Sequence, residues 1–272
     1  MKKKIAVIMS VYHQDSPIDF DQALQSIFEQ TYRHFDIFLQ VDGKIPEALK
    51  SVISKYESLQ NVHVCYSEQN FGLAFQLNQA IERVFKQDKF GYIARMDADD
   101  ICVAERFEQQ VAFLSQHPDI AVLGTSVIEF DEDGHEFYKK MSASHNELKS
   151  NIIKRCPLNH PTVMFNLNKI EPQDLQYNNR LLNTQDYYLW VDLLCKGYLF
   201  SNLEKPLLRF RVNSLFHKRR GLKKLKNDFR SRIYALNKLH IHSLTNYFYI
   251  AALVVLRVSP TFIKKLAYSR LR

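Results

Sequence analysis

Short apolar runs alternate with amphipathic stretches along the first half of the chain. Continuous apolar runs predict buried strands, and apolar residues three and four positions apart predict helices. We expect strands at 4–11, 36–41, 62–66 and 90–96, with helices at 21–30, 46–59 and 73–85 between them. This alternation predicts an α/β fold, with a mostly parallel sheet flanked by helices on both faces.

The second half of the chain is less regular. It predicts a helix at 104–116, a strand at 120–130, a loop that enters a strand at 157–165 and a helix at 186–194. From Arg209 onward the chain is first basic and then apolar. We therefore expect a body formed by residues 1–213 and a basic, helical C-terminal region formed by residues 214–272.

Three short segments lie at the carboxyl ends of predicted strands. They are Ser10, Val11 and Tyr12 at the first strand, Asp42 at the second and the run 97–100 at the fourth. Ligands of parallel sheets bind beyond the carboxyl ends of the strands. These three segments thus predict one binding site at a single edge of the sheet.

The run Asp97-Ala98-Asp99-Asp100 is the strongest local signal of chemistry. Three carboxylates so close together repel one another unless a cation or hydrogen bonds offset their charge. Carboxylate oxygens suit Mg²⁺ or Mn²⁺, which also bind diphosphate oxygens. The alternative is a solvated acidic loop that stabilises the N-terminus of the next helix, and for an isolated Asp-x-Asp pattern it is the commoner explanation.

The net charge of +8 is unevenly distributed. Residues 201–272 contain 17 Lys and Arg against 2 Asp and Glu, so the preceding body is acidic overall. A basic tail indicates an anionic partner, such as lipid head groups, nucleic acid or a phosphorylated substrate.

The four cysteines fit no zinc spacing and indicate free thiols. The apolar run after Lys4 is too short for a signal peptide, so we expect a cytoplasmic protein.

In their order and spacing, several segments resemble glycosyltransferase family 2, the inverting enzymes of the GT-A fold. The resemblance covers about residues 5–213. Its most specific segment is Ala94-Arg95-Met96-Asp97-Ala98-Asp99-Asp100. The other matching segments are 7–12, 26–32 with 35–37, 70–74 with 77–78, 105–107 with 110, 159–165 and 186–190.

The chain departs from the family pattern in two places. Val41-Asp42-Gly43 stands where the family usually has Asp-Asp-Gly, so one carboxylate is lost and Asp42 is kept. Gln185-Asp186 stands where the family usually has Glu-Asp. The loss of a negative neighbour should make Asp186 easier to ionise.

The resemblance implies a role for each site residue. Ser10, Val11, Tyr12, Asp42, Arg95 and Asp97 would bind the nucleotide-sugar donor, and Asp97 and Asp99 would hold Mn²⁺ or Mg²⁺. Asp186 would be the general base, although an acid in the first turn of a helix is also a common stabilising feature. His160 would lie near the acceptor, or else be satisfied by backbone groups in its loop. Trp190 could stack on a sugar, although a lone Trp on a helix is more often a core residue.

The function implied is transfer of a sugar, with inversion, from a nucleoside-diphosphate donor that we expect to be UDP-linked. The expected acceptor is a hydroxyl of a glycan or lipid-linked glycan in bacterial lipopolysaccharide, capsule or exopolysaccharide synthesis. Two other classes of function fit the sequence less well. A Mg²⁺-dependent nucleotidyltransferase would need a Gly-rich phosphate loop that 10–17 lacks. A nucleic-acid-binding protein would leave the acidic cluster unexplained, so we expect no nucleic acid partner.

The C-terminal region combines basic clusters with one apolar run. Basic residues lie at 218–220, at 223, 224 and 226, at 264–265 and at 270 and 272, and the apolar run is 247–256. This run is well short of the roughly 20 residues that span a bilayer. It predicts a helix that lies on an anionic membrane surface, on the cytoplasmic face of the inner membrane. The alternative is a core helix of a small C-terminal subdomain.

Overall fold

A computed structural model of the chain describes residues 3–181, 183–212 and 222–258. The strands are β1 Lys4–Tyr12, β2 Phe35–Asp42, β3 Val62–Tyr66, β4 Phe90–Arg95, β5 Ile101–Cys102, β6 Ile120–Phe130, β7 Glu136–Lys139, β8 Met164–Asn166 and β9 Leu199–Arg211. The helices are α1 Pro17–Phe28, α2 Glu47–Ser54, α3 Leu73–Gln87, α4 Arg106–Gln116, α5 His145–Ser150, α6 Gln185–Cys195, α7 Leu222–Leu239 and α8 Leu244–Val258.

All nine of these strands form one sheet in the order β3-β2-β1-β4-β8-β6-β9-β5, with β7 paired to β6. The first four are mutually parallel, and β6 is parallel to β9. The short strands β5, β7 and β8 pair antiparallel with their neighbours. The predicted α/β class with a mostly parallel, helix-flanked sheet is confirmed, while the antiparallel pairings and β9 were not predicted.

The strands β1, β2 and β4 are mostly apolar because helices cover both faces of the sheet. In β1, Ile5, Val7, Met9 and Val11 contribute to the cluster formed with α1, α2 and α4. Ala6 and Ile8 point the other way, into the cluster formed with α3 and α6. This alternation follows from the two-residue period of a strand.

Two helix boundaries differ from the predicted ones by four residues or more. Helix α1 begins at Pro17, because the Ser16 side chain accepts a hydrogen bond from the backbone N–H of Asp19 and caps the helix. Helix α2 ends at Ser54, five residues before the predicted end, and turns follow it. All four cysteines are free, as expected.

Helices α7 and α8 extend the core beyond β9. Ala235 and Leu236 of α7 and Ile250 of α8 are buried in the same cluster as α6. The outer face of α8 remains exposed. Within the described ranges, none of the helices is both long and apolar enough to cross a bilayer. The predicted basic clusters at 218–220, 264–265 and 270–272 lie outside the described residues.

Candidate active site

The carboxyl ends of β1, β2 and β4 lie side by side in the sheet. Ser10 pairs with Gln40, Tyr12 with Asp42, and Ile8 with Arg95. Three of the expected donor-binding segments, 10–12, 42 and 95–97, therefore converge at one edge, as parallel pairing requires.

The carboxylates of Asp97, Asp99 and Asp100 form one cluster just beyond β4. Each offers an oxygen within 4.8 Å of the others. Burial, and then the negative charge of Asp97, raises the pKa of Asp99 to about 6. Burial and both neighbouring carboxylates raise the pKa of Asp100 well above its usual value. A divalent cation would offset this repulsion, so the oxygen donors present fit Mn²⁺ or Mg²⁺.

Asp100 is the buried member of the cluster, with none of its surface exposed. Its Oδ1 accepts a hydrogen bond of 2.9 Å from the backbone N–H of Arg211. Its Oδ2, also buried, has no hydrogen-bond partner among the described residues. A buried carboxylate oxygen without a donor is costly, which is a second observation that fits a cation at this place.

Arg95 lies beneath the cluster and is only 2% exposed. One of its terminal nitrogens forms an ion pair with Asp97. Its Nε and Nη1 atoms have no hydrogen-bond partner within the described part of the chain. The backbone carbonyl of Arg95 accepts a 2.9 Å hydrogen bond from the buried guanidinium of Arg106, which ties α4 to this point.

Asp42 is also buried, and its carboxylate accepts hydrogen bonds from other residues of the protein. Oδ1 accepts hydrogen bonds from the backbone N–H of Phe71 at 2.8 Å and from the Gln76 amide at 2.6 Å, and Oδ2 accepts one from the N–H of Gly72 at 2.9 Å. Asp42 therefore fixes the start of α3. Gly43 completes this turn at φ +80°, where a Cβ would lie 2.7 Å from the Asn70 nitrogen. The predicted contact of Asp42 with a nucleobase stays a prediction.

Asp186 lies in the first turn of α6, after Thr184, which has a left-handed backbone at φ +66°. Burial raises the pKa of Asp186. The backbone N–H of Tyr187 and the positive charge of Arg95 oppose that rise. The Asp186 carboxylate is therefore more basic than usual. Arg95, which pairs with Asp97 of the acidic cluster, also acts electrostatically on Asp186.

The half-buried His160 and the buried Tyr177 form a pair, with 2.8 Å between His160 Nε2 and the Tyr177 hydroxyl. Burial, and then the charge of Arg95, holds the pKa of His160 well below its usual value, so the imidazole is neutral at pH 7. The side-chain amide of Asn78 makes two 2.8 Å hydrogen bonds to the backbone of Tyr177. The partner of His160 is thus a side chain, where the alternative expectation was backbone groups.

Trp190 is fully buried in the core. Its ring stacks on Phe165 at 5.9 Å and meets Phe200 edge-on at 6.0 Å. The indole has no face open to a sugar in this arrangement, because the helix turns it towards the sheet. The placement corrects the expectation of sugar stacking in favour of the core alternative.

Two side chains at this site were not singled out from the sequence. Tyr177 lies in a polar loop and Arg211 at the end of β9, and each reaches the site through contacts with residues distant in the chain. No local pattern marks either residue. Only the folded arrangement identifies them.

Residues 6–174 match the family model described as glycosyl transferase family 2. The chain therefore belongs to glycosyltransferase family 2, and it is a glycosyltransferase. The sequence resemblance to this family is confirmed.

Curated relatives and a solved structure agree with this membership. The amylovoran biosynthesis glycosyltransferase AmsE of Erwinia amylovora is 32% identical over 97% of this chain and 98% of its own length. The UDP-Gal:alpha-D-GlcNAc-diphosphoundecaprenol beta-1,3-galactosyltransferase of Escherichia coli is 32% identical over 80% of this chain and 78% of its own. S. aureus TarS 1–349, solved in complex with UDP-GlcNAc, superposes with a TM-score of 0.69 at 19% identity, covering 93% of this chain and 72% of that one. The fold is accordingly of the GT-A type.

Proposed function

We propose that this protein is a metal-dependent, inverting hexosyltransferase that uses a UDP-linked sugar. The acceptor we propose is a hydroxyl of a glycan or lipid-linked glycan in bacterial lipopolysaccharide, capsule or exopolysaccharide synthesis. The observation that carries the proposal is the three-carboxylate cluster at the end of β4, because its Arg95 pairs with Asp97 and also acts electrostatically on the half-buried Asp186.

The donor would lie across the ends of β1 and β2. Residues 10–12 would hold the nucleoside, while Asp42 would contact the base or hold the loop at Phe71 and Gly72 that borders it. A UDP-linked donor and a diphosphate-linked lipid acceptor are both specified in the name of the Escherichia coli relative. The role of AmsE in amylovoran biosynthesis supports a surface polysaccharide as the product.

Asp97 and Asp99 would hold Mn²⁺ or Mg²⁺, since both are half-exposed oxygen donors at the cluster. Such an ion would stabilise negative charge on the departing diphosphate. Arg95 would keep Asp97 in place through their ion pair. Two of its guanidinium nitrogens have no hydrogen-bond partner among the described residues, so Arg95 would also supply positive potential to the diphosphate.

Asp186 would take the proton from the attacking acceptor hydroxyl. Burial raises its basicity, which suits a general base. Attack from the face opposite the leaving group inverts the anomeric centre, so an α-linked donor would give a β-linked product. His160 and Tyr177 would border the acceptor, because the charges of Arg95 and Asp186 both act on the Tyr177 hydroxyl.

The protein would work as a peripheral protein on the cytoplasmic face of the inner membrane. Leu244, Phe248 and Val255 of α8 are 90%, 69% and 61% exposed. Their spacing of four and seven residues places them on one face of the helix. Helix α8 contains no acidic residue, and residues 201–272 are strongly basic. These features suit contact with an anionic lipid surface.

The proposal is tested by incubating the purified protein with a panel of nucleotide sugars and measuring release of nucleoside diphosphate. We expect release from a UDP-sugar in the presence of Mn²⁺ or Mg²⁺ and its loss in excess EDTA. Full activity in EDTA would contradict the metal. An α-linked product from an α-linked donor, detected by NMR, would contradict inversion.

A further inference from the structure

Arg211, the last residue of β9, makes several contacts at the acidic cluster. Its backbone N–H donates to Asp100 Oδ1, and its side-chain Nε donates to the backbone carbonyl of Asp99, both at 2.9 Å. The side chain is 16% exposed. Arg211 therefore holds two consecutive residues of the cluster by different atoms.

The far end of the same guanidinium is fixed to α1. Its Nη2 atom donates to Gln22 Oε1 at 2.8 Å and lies 3.3 Å from Asp19 Oδ1. The guanidinium carbon also lies 4.8 Å from the centre of the Phe130 ring. The planar group thus bridges the acidic loop and α1 in one fixed orientation, which a flexible ammonium cannot reproduce.

We propose that Arg211 is a positioning residue for the metal site. It would hold the main chain of Asp99 and the carboxylate of Asp100 so that the Asp97 and Asp99 carboxylates converge on one ion beside Asp100. This inference rests on the metal-binding part of the proposed function. It goes beyond that proposal because Arg211 touches the ion's ligands by hydrogen bonds and does not itself bind a cation.

The positive charge of Arg211 and its hydrogen bonds predict opposite effects on metal affinity when the side chain is removed. A positive charge near the cluster repels a metal cation, so its removal alone would strengthen metal binding. Loss of the hydrogen bond from Arg211 Nε to the Asp99 carbonyl would weaken metal binding, because residues that orient metal ligands typically contribute about 10- to 100-fold in affinity. Asp19 already offsets part of the charge. We therefore expect loss of the hydrogen bond to outweigh loss of the charge, so that metal binding becomes weaker.

The experiment measures Mn²⁺ binding to the purified full-length protein, without donor, by the EPR signal of free Mn²⁺. Arg211→Met removes the charge and the hydrogen bonds, while Arg211→Lys keeps the charge and loses the planar group. We expect both variants to bind Mn²⁺ about 10- to 100-fold more weakly than the wild type. Both retain the backbone N–H that serves Asp100.

Arg209→Met is the matched control. Arg209 lies on the same strand, its guanidinium carbon lies 4.9 Å from the centre of the same Phe130 ring, and its charge pairs with Glu136. We expect its Mn²⁺ affinity to stay within about twofold of the wild type, since it has no hydrogen bond to the cluster among the described contacts. Thermal unfolding in EDTA checks that each variant is folded. If Arg211→Met does not fold, Asp19→Asn loosens the far end of the guanidinium instead and should also weaken Mn²⁺ binding.

The Mn²⁺ affinities of the variants decide whether Arg211 positions the metal site. Wild-type or tighter Mn²⁺ binding by Arg211→Met overturns the inference while leaving the proposed function intact. Wild-type affinity in Arg211→Lys overturns the role of the planar guanidinium. Equal weakening in Arg209→Met would reveal a general effect of charge or strand stability and would also overturn it. A wild-type protein that binds no Mn²⁺ contradicts the proposed metal site together with this inference.

Discussion

Asp42 accepts a hydrogen bond of 2.9 Å from the backbone N–H of Gly72. With the bonds from Phe71 and Gln76, this makes the end of β2 and the start of α3 one structural unit. The two N–H groups belong to Gly72, the N-cap residue of α3, and to Phe71 just before it, so the Asp42 carboxylate lies at the N-terminal end of this helix. A carboxylate is well suited to this position, because it also meets the positive end of the helix dipole.

Asp42→Ala should therefore destabilise the protein even without a donor. Two backbone N–H groups and the Gln76 amide would lose their acceptor, and each buried donor left unpaired costs about 1–3 kcal/mol. We expect the free energy of unfolding in urea to fall by at least about 2 kcal/mol. Asp133→Ala, at an exposed turn, is the control and should change little. Equal stability of Asp42→Ala and the wild type would show that these contacts contribute nothing.

The strands that the sequence predicted best are the continuous apolar ones. The predicted bounds 62–66 and 120–130 agree with β3 and β6. Strand β9 was missed because Glu204 and Lys205 interrupt its apolar pattern. In the structure Thr125 pairs with Leu203 and Ser126 with Pro206, so these two charged residues fall in an irregularity between paired positions. A pattern of period two cannot reveal such a bulge.

The residues of the candidate site also differ in whether the sequence alone could identify them. Asp97, Asp99 and Asp186 could be proposed from the sequence because each belongs to a recognisable local segment. Tyr177 and Arg211 could not, since their contacts with His160 and Asp99 cross 17 and 112 positions of the chain. Trp190 was proposed from the sequence but lies in the core, because spacing on a helix does not show whether an aromatic side chain faces the core or a ligand.

Asp99→Ala should abolish metal-dependent transfer while leaving the fold intact. Burial disfavours the ionised form of Asp99 and raises its pKa to about 6, so removal of the carboxylate should cost little stability. We expect turnover with Mn²⁺ or Mg²⁺ to fall at least about a hundredfold, as when a transition-state electrostatic contact is lost. Asp119→Ala, an exposed acid after α4, is the control. Full activity of Asp99→Ala would remove Asp99 from the metal site.

Asp186→Asn should keep donor binding and lose most of the turnover. The amide preserves the shape of the side chain and cannot accept the acceptor's proton, and general-base contributions are typically about a hundred- to ten-thousand-fold. In the wild type, burial raises the pKa of Asp186, so turnover should decline as pH falls through that raised value. Donor affinity from calorimetry and a pH–rate profile check both parts. Unchanged turnover would place the base elsewhere.

The same substitution should affect stability in a pH-dependent way. Because the pKa of Asp186 is higher in the folded protein than in the unfolded chain, its ionisation costs stability as pH rises through the folded value. Asp186→Asn avoids that cost. We expect its free energy of unfolding to equal or exceed that of the wild type at pH 8, with the advantage disappearing at pH 4. A deficit at pH 8 would show that the ionised carboxylate is stabilised by its neighbours.

The exposed face of α8 should determine membrane binding. Substitution of Leu244, Phe248 and Val255 together by Ser removes three side chains that are 90%, 69% and 61% exposed and so contribute little to the core. Burial of one such side chain in lipid is worth about 1.5–3 kcal/mol when complete. Sedimentation with anionic liposomes should therefore fall strongly. Leu59→Ser, at an exposed loop residue after α2, is the control for loss of apolar surface and should sediment as the wild type does.

Salt separates the two contributions to this binding. Attraction of basic residues to anionic lipid weakens with ionic strength, whereas apolar insertion does not. Wild-type sedimentation should be strong at low salt and reduced at high salt, and the residual binding should be missing in the triple Ser variant. Hydrolysis of the donor in solution should be equal in both proteins, since α8 packs against α7 and contributes no residue to the proposed site. If the triple variant sediments like the wild type at every salt concentration, α8 does not contact lipid. Equal sedimentation of the wild type with neutral and anionic vesicles would instead remove the electrostatic contribution.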